Sequence, residues 1–161
     1  MDVTAGEAEY TMESRLRIAG QAVHPVLVMF PLGLFTMAVL FDMGNVLGGP
    51  AILGALAYWN ILAGLVGGVL VVLAGAVDLA LMPGTRAKRL AVLHNMANMG
   101  VLILFAVILM LRMQSPDRVA GAGLVVVELV ALMAGFVGAW FGGEIVNRRT
   151  APAFPQAAVR R

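Results

Sequence analysis

The chain has 161 residues, 61% of them hydrophobic and 12% charged, with a formal net charge of +2 and no cysteine. A soluble domain carries about 25% charged residues, so this chain lacks the polar surface that would coat a water-soluble globule and reads as an integral membrane protein. Without cysteine there are no disulfides, thiolate metal sites or thiol catalysis.

Residues 1–22 form a polar N-terminal tail that is expected to be poorly ordered. It carries Asp2, Glu7, Glu9 and Glu13 where a cleavable signal peptide has basic residues, so the first apolar segment is expected to be kept as an anchor. A transmembrane domain over 23–147 follows, with four stretches long enough to cross a bilayer: about 25–47, 51–82, 90–113 and 119–146. Gly48-Gly49-Pro50, Pro83-Gly84 and Ser115-Pro116-Asp117 separate them. Such short links predict an all-α, up-down-up-down bundle of four transmembrane helices. Residues 148–161 form a basic C-terminal tail.

The pI near 9.7 does not point to nucleic acid, because the basic residues sit in short clusters beside apolar runs. In the four-span arrangement Arg15, Arg17, Arg86, Lys88, Arg89, Arg148, Arg149, Arg160 and Arg161 share one side, and Arg112 and Arg118 the other. Nine against two predicts that both termini lie in the cytoplasm, as for an inner (plasma) membrane protein. Trp59 and Trp140 suit the two interfacial belts.

Ionisable residues inside spans are costly and are candidate functional groups. Asp42 falls near the outer end of span one and Glu128 within span four. His24, Asp78, His94 and Glu144 fall toward the cytoplasmic ends of four different helices. The only two histidines therefore lie at similar depth on helices that are diagonally opposed, where they could ligate a b-type haem or a transition metal. On span three His94, Asn98, Val101 and Phe105 share a face. Asn60, Gly64, Gly67, Val71, Gly75 and Asp78 make a stripe of small and polar residues on span two, as do Glu128, Gly135, Ala139 and Gly142 on span four. Glu144 points nearly opposite to Glu128.

The cofactor set expected from this pattern is His24, His94, Asn98, Gly67 and Gly75, with Gly68, Gly138 and Gly142 leaving room for a flat macrocycle. The metal set is His24, His94 and Asp78. The bland alternatives are a His24 bonded to headgroups, an interfacial His94, and glycines that only bring helices together. A second reading is a proton or ion path, or small-solute transport, along Asp42, Asp78 and Glu128. A third is a non-catalytic accessory subunit in a homodimer or larger membrane complex. The 11 methionines suit copper or, more simply, irregular packing. Ser14 and Ser115 lie outside the spans and no phosphate-binding glycine loop is present, so no independent enzymatic activity is expected.

The run His24-Pro25-Val26-Leu27-Val28-Met29-Phe30-Pro31-Leu32-Gly33 puts prolines at the start and in the interior of a span, and Pro31 leaves the Leu27 carbonyl without its helical donor. This run resembles the H-P-x-x-V-x-F-P-x-G signature of a bacterial membrane family, domain of unknown function 2231. Gly75 followed by Asp78, and His94 with Asn95 and Asn98, extend the similarity over about Gln21 to Gly142. The resemblance implies a small four-helix bacterial membrane protein with no settled activity. Similar sequences carry a second His before the Phe-Pro pair. Here Met29 stands there, which either removes a ligand or substitutes a thioether.

Overall fold

The computed structural model describes residues 17–18, 21–81, 86–115 and 117–150. Four long helices dominate it: α1 (Val23–Val46), α2 (Ile52–Ala80), α3 (Arg86–Met113) and α4 (Ala122–Thr150). Each contains a stretch long and apolar enough to cross a membrane. Within these stretches only 22–33% of the residues are buried between helices. The remaining apolar surface faces outward all around the bundle, as in a bilayer and unlike a soluble bundle that hides its apolar stripe. The chain is a multi-pass membrane protein.

Ahead of α1 lies a two-residue antiparallel ladder of β1 (Arg17–Ile18) with β2 (Gln21–Ala22), in which Arg17 pairs with Ala22. It falls in a tail whose composition offers no strand signal, because two residues are too short for a periodic pattern.

Helix packing follows chain order. Helix α1 packs most extensively on α2, α2 packs on α3, α3 on α4, and α4 closes the ring onto α1. Helices α1 and α3 are diagonal and meet through the centre, where Phe35 and Phe105 stack with ring centroids 4.0 Å apart and planes within 6°. Ile61, Ile108, Ala38, Val39, Ala57, Ala131 and Leu132 complete the apolar middle of the bundle.

Two tight turns set one end. After α1 the Gly48 N–H bonds to the Asn45 carbonyl and the Gly49 N–H to the Gly44 carbonyl at 2.9 Å, with Gly48 at φ 92°. This is the paired closure of a Schellman motif, and only glycine takes such a φ without cost. Pro50 follows and α2 begins within two residues. The link from α3 to α4 tightens the end of α3 by bonding Ser115 N–H to the Arg112 carbonyl, then passes through left-handed backbone at Arg118 (φ 53°).

The element limits differ from the hydropathy reading in instructive ways. Helix α3 starts at Arg86, four residues before the apolar run, because Lys88 and Arg89 are good helix formers even though they are poor membrane residues. Helix α4 starts at Ala122 rather than at 119, since Val119 lies in the link and packs against Gly54. It continues through Thr150 into the stretch read as basic tail. Helix α2 has 29 residues, about 43 Å at 1.5 Å per residue, and exceeds a hydrocarbon core of about 30 Å. Pro31 lies inside a continuous α1.

Glycines on α2 let the helices approach. A methyl group at Gly64 would stand 2.6 Å from Phe35 Cε1, and one at Gly68 2.3 Å from Leu102 Cδ2. The Leu102 methyl can swing away, whereas the Phe35 ring is held by Phe105. Gly64→Val is therefore expected to destabilise the detergent-solubilised protein by about 1–3 kcal/mol. Gly100→Ala, with nothing within 4 Å, should leave the thermal midpoint unchanged or slightly raised. Parallel melting curves of the two variants check this pair.

Candidate functional site

Asp42 lies four residues before the end of α1, Gly54 two residues into α2, Arg112 one residue before the end of α3, and Glu128 six residues into α4. At 1.5 Å per residue all four lie within about 9 Å of a helix terminus. The antiparallel bundle brings these termini to one end. Among the described residues, Asp42 (0% exposed), Arg112 (1%) and Glu128 (0%) are the buried charged ones.

The Arg112 guanidinium organises the group. Its Nη1 donates to Asp42 Oδ2 and, at 3.3 Å, to Glu128 Oε1. Its Nη2 donates to Asp42 Oδ1 at 3.1 Å and to the Gly54 carbonyl at 2.9 Å. Its Nε donates to the Arg118 carbonyl at 3.0 Å. An arginine has five N–H donors in a rigid fork, and here each has an acceptor. The bidentate clasp on Asp42 is the strong form of a carboxylate pair.

Local structure prepares each partner. Gly54 has no side chain, so Val119 closes over it; a methyl there would stand 2.9 Å from Val119 Cγ2. The left-handed turn at Arg118 accompanies the bond that its carbonyl accepts from Arg112 Nε. The Arg118 guanidinium lies 4.9 Å from the centroid of the Tyr58 ring, a cation–π contact that fastens the link to α2. Arg112 occupies the last turn of α3, where a cation complements the helix dipole.

Charge and donor counts do not balance. Two carboxylates face one guanidinium, and Glu128 Oε2 is buried without a hydrogen-bond partner. Arg112 has no donor left to offer it.

At the opposite end His94 Nε2 lies 3.0 Å from Asn98 Nδ2, one turn along the shared face. The imidazole lies flat against α4: a methyl at Gly142 would stand 2.7 Å from His94 Cε1, and one at Gly138 3.4 Å from Asn98 Oδ1. His94 thus turns toward α4 and not away from the bundle. The other expected residues separate. Gly67 is covered by Phe30, whose Cδ1 would be 3.2 Å from a methyl there, and Gly68 by Leu102. Met29 is 73% exposed on the outer surface of the bundle. Gly75 and Asp78 are half-buried on the last turns of α2. Asp78 is 24 residues beyond Gly54, about 36 Å along α2. The side chains of His24 and Glu144 lie outside the described residues. Among the described residues no group of three or more His, Asp or Glu side chains is arranged to hold a metal.

The structure therefore brings together two of the expected acids, Asp42 and Glu128, and places Asp78 at the far end. Arg112 is the residue that sequence reasoning missed, having been counted only among the basic residues that set topology, near the end of span three. Its signal was present: two acids at the same end of spans one and four leave a deficit of positive charge, and Arg112 sits at the matching depth on span three. In-span charges pair. Trp59 and Trp140 are exposed on the bundle surface, as interfacial anchors are.

A family model described as "Predicted membrane protein (DUF2231)" matches residues 20–151, from just before α1 to the end of α4. The chain belongs to this family. Searches of curated proteins and of solved structures give no match. Membership agrees with a membrane protein; the four-span core comes from the structure, and the chemistry is left to the residues themselves.

Removing one member of a buried ion pair strands its partners and typically costs about 3–5 kcal/mol, whereas replacing the whole set by uncharged groups is far milder. Arg112→Met is expected to lower stability by about that amount, and the triple variant Asp42→Asn, Arg112→Met, Glu128→Gln to recover most of the loss. Denaturant titration in mixed micelles reads both.

Proposed function

We propose that this DUF2231 protein binds and moves a small monovalent cation, the proton included, across the bacterial inner membrane, with the Asp42–Arg112–Glu128 cluster as its binding centre. The observation that supports this reading is a fully buried charge cluster that is short of one positive charge and one hydrogen-bond donor. Buried intramembrane carboxylates are expensive, and ion pathways are one of the few uses that justify them. The apolar middle around Phe35 and Phe105 separates this centre from His94, Asn98 and Asp78 at the other end. The reading is accordingly a carrier or relay that rearranges, not an open pore.

The nine-to-two distribution of basic residues supports an orientation with both termini and the α2–α3 link in the cytoplasm and the cluster toward the outer face. Burial of Arg112 sharpens this bias, because only Arg118 then remains as a basic residue in the outer links. Haem or metal binding at His24 and His94 ranks behind the ion reading, because His94 Nε2 lies 3.0 Å from Asn98 Nδ2 and the His94 ring packs on α4 at Gly142. A homodimer through the outward glycines, or a place in a larger complex, is compatible with either reading.

The chain has no cysteine, so single cysteines report topology cleanly. Asp117→Cys is expected to react with an impermeant maleimide in spheroplasts, and Thr85→Cys only after lysis; the reverse pattern overturns the orientation. In proteoliposomes carrying a pH-sensitive dye and a potassium diffusion potential, the wild type is expected to acidify the lumen faster than empty vesicles. Glu128→Gln should reduce that rate at least tenfold. Equal rates for wild type, variant and empty vesicles overturn transport.

A further inference from the structure

The donor count at the cluster identifies what fills its deficit. The five N–H groups of Arg112 are committed to Asp42 Oδ1 and Oδ2, Glu128 Oε1 and the carbonyls of Gly54 and Arg118. Glu128 Oε2 is buried and has no donor, and Asp42 Oδ2 and Glu128 Oε1 accept from the same nitrogen, Arg112 Nη1, which sets the two carboxyls side by side. Two ionised carboxylates are acceptors only and cannot bond to each other, whereas a protonated one donates through its O–H. Like charges at such separation do not both ionise when water is excluded.

The groups around this contact offer no other remedy. Helix α1 supplies Asp42 and α3 supplies the saturated Arg112. Helix α2 supplies the Gly54 carbonyl and Tyr58, whose ring carries the Arg118 guanidinium. In the α3–α4 link Asp117 is exposed and Arg118 turns its carbonyl to Arg112. On α4 Glu128 is the sole ionisable group at this level.

We propose that the cluster binds one proton, held between Glu128 and Asp42 with Glu128 Oε2–H donating to the Asp42 carboxylate. The proton comes from the aqueous phase at the Asp42 end and leaves the group neutral: one guanidinium, one carboxylate, one carboxylic acid. This inference rests on the reading of the cluster as the ion-binding centre and narrows its occupant from a monovalent cation to a proton. A sodium ion would need several oxygen ligands around it, and most of the oxygens here already face Arg112.

Infrared spectroscopy of the full-length protein in lipid nanodiscs at neutral pH tests this. The wild-type-minus-Glu128→Gln difference spectrum is expected to contain the carbonyl stretch of a protonated carboxylic acid, shifted on exchange into heavy water. The side-chain amide introduced by Glu128→Gln supplies its own N–H to Asp42, so the variant should fold. Asp42→Asn provides a second difference spectrum, because the remaining Glu128 then balances Arg112 without a proton and the same acid band should be lost. Difference spectra that show only an ionised carboxylate, unchanged by sodium removal, overturn the inference, and so does an acid band that appears only when sodium is removed. An acid band in vesicles that show no proton flux upholds the bound proton while removing the transport reading.

Discussion

A guanidinium with five donors, placed where water cannot reach it, is the constraint on which one end of this molecule depends. In water Arg112 would be solvated at little cost. Among apolar helices each of its donors must find an acceptor in the protein. The acceptors come from every element at that end: a carboxylate from α1, a carbonyl from α2, a carbonyl from the α3–α4 link and a carboxylate from α4. One side chain thereby ties together all four helices, including the diagonal pair α1 and α3. It does so with directional bonds, which fix rotation and depth in a way that apolar packing between lipid-facing helices does not.

Much of the local backbone is intelligible from this demand. Gly54 leaves its carbonyl open to Arg112 and its α-carbon open to Val119. Arg118 adopts left-handed backbone, uncommon for a residue with a side chain, while its carbonyl caps Nε and its own guanidinium rests on Tyr58. The Schellman closure at Gly48 and Gly49 starts α2 within a few residues of the end of α1, which puts Gly54 at the depth of Asp42. The opposite end is built differently. There His94, Asn98, Gly138 and Gly142 form a small polar seam between α3 and α4, and the stacked Phe35 and Phe105 lie between the two polar ends. The buried charge cluster is therefore confined to one end, with an apolar layer beneath it.

Much of the fold was legible in the chain because it rests on quantities that add along a sequence. Four apolar runs of sufficient length, separated by Gly-Pro punctuation, could only become four antiparallel spans. The shared face of His94 and Asn98 and the small-residue stripe through Gly64 and Gly67 were equally readable, since helical phase is periodic. The charge cluster was half legible. Asp42 and Glu128 stood out as costly residues in apolar runs, but Arg112, near a span end, looked like an ordinary topology signal. Whether such a side chain reaches out to headgroups or turns inward depends on acceptors contributed by three other segments, and no local pattern records them.

Read along the chain alone, the residues already placed this protein in a bilayer, counted four crossings and pointed to its family. Those properties depend on hydropathy, length and local turn chemistry, all of which are carried by neighbouring residues. Helix packing was needed to make Asp42, Arg112 and Glu128 one group, to put Asp78 at the other end, about 36 Å along α2 from Gly54, and to bring Phe30 and Leu102 into the spaces beside Gly67 and Gly68. These outcomes depend on the rotation and axial offset of each helix against its neighbours. Short links constrain those offsets only loosely, and the donors of Arg112 select among the arrangements the links allow.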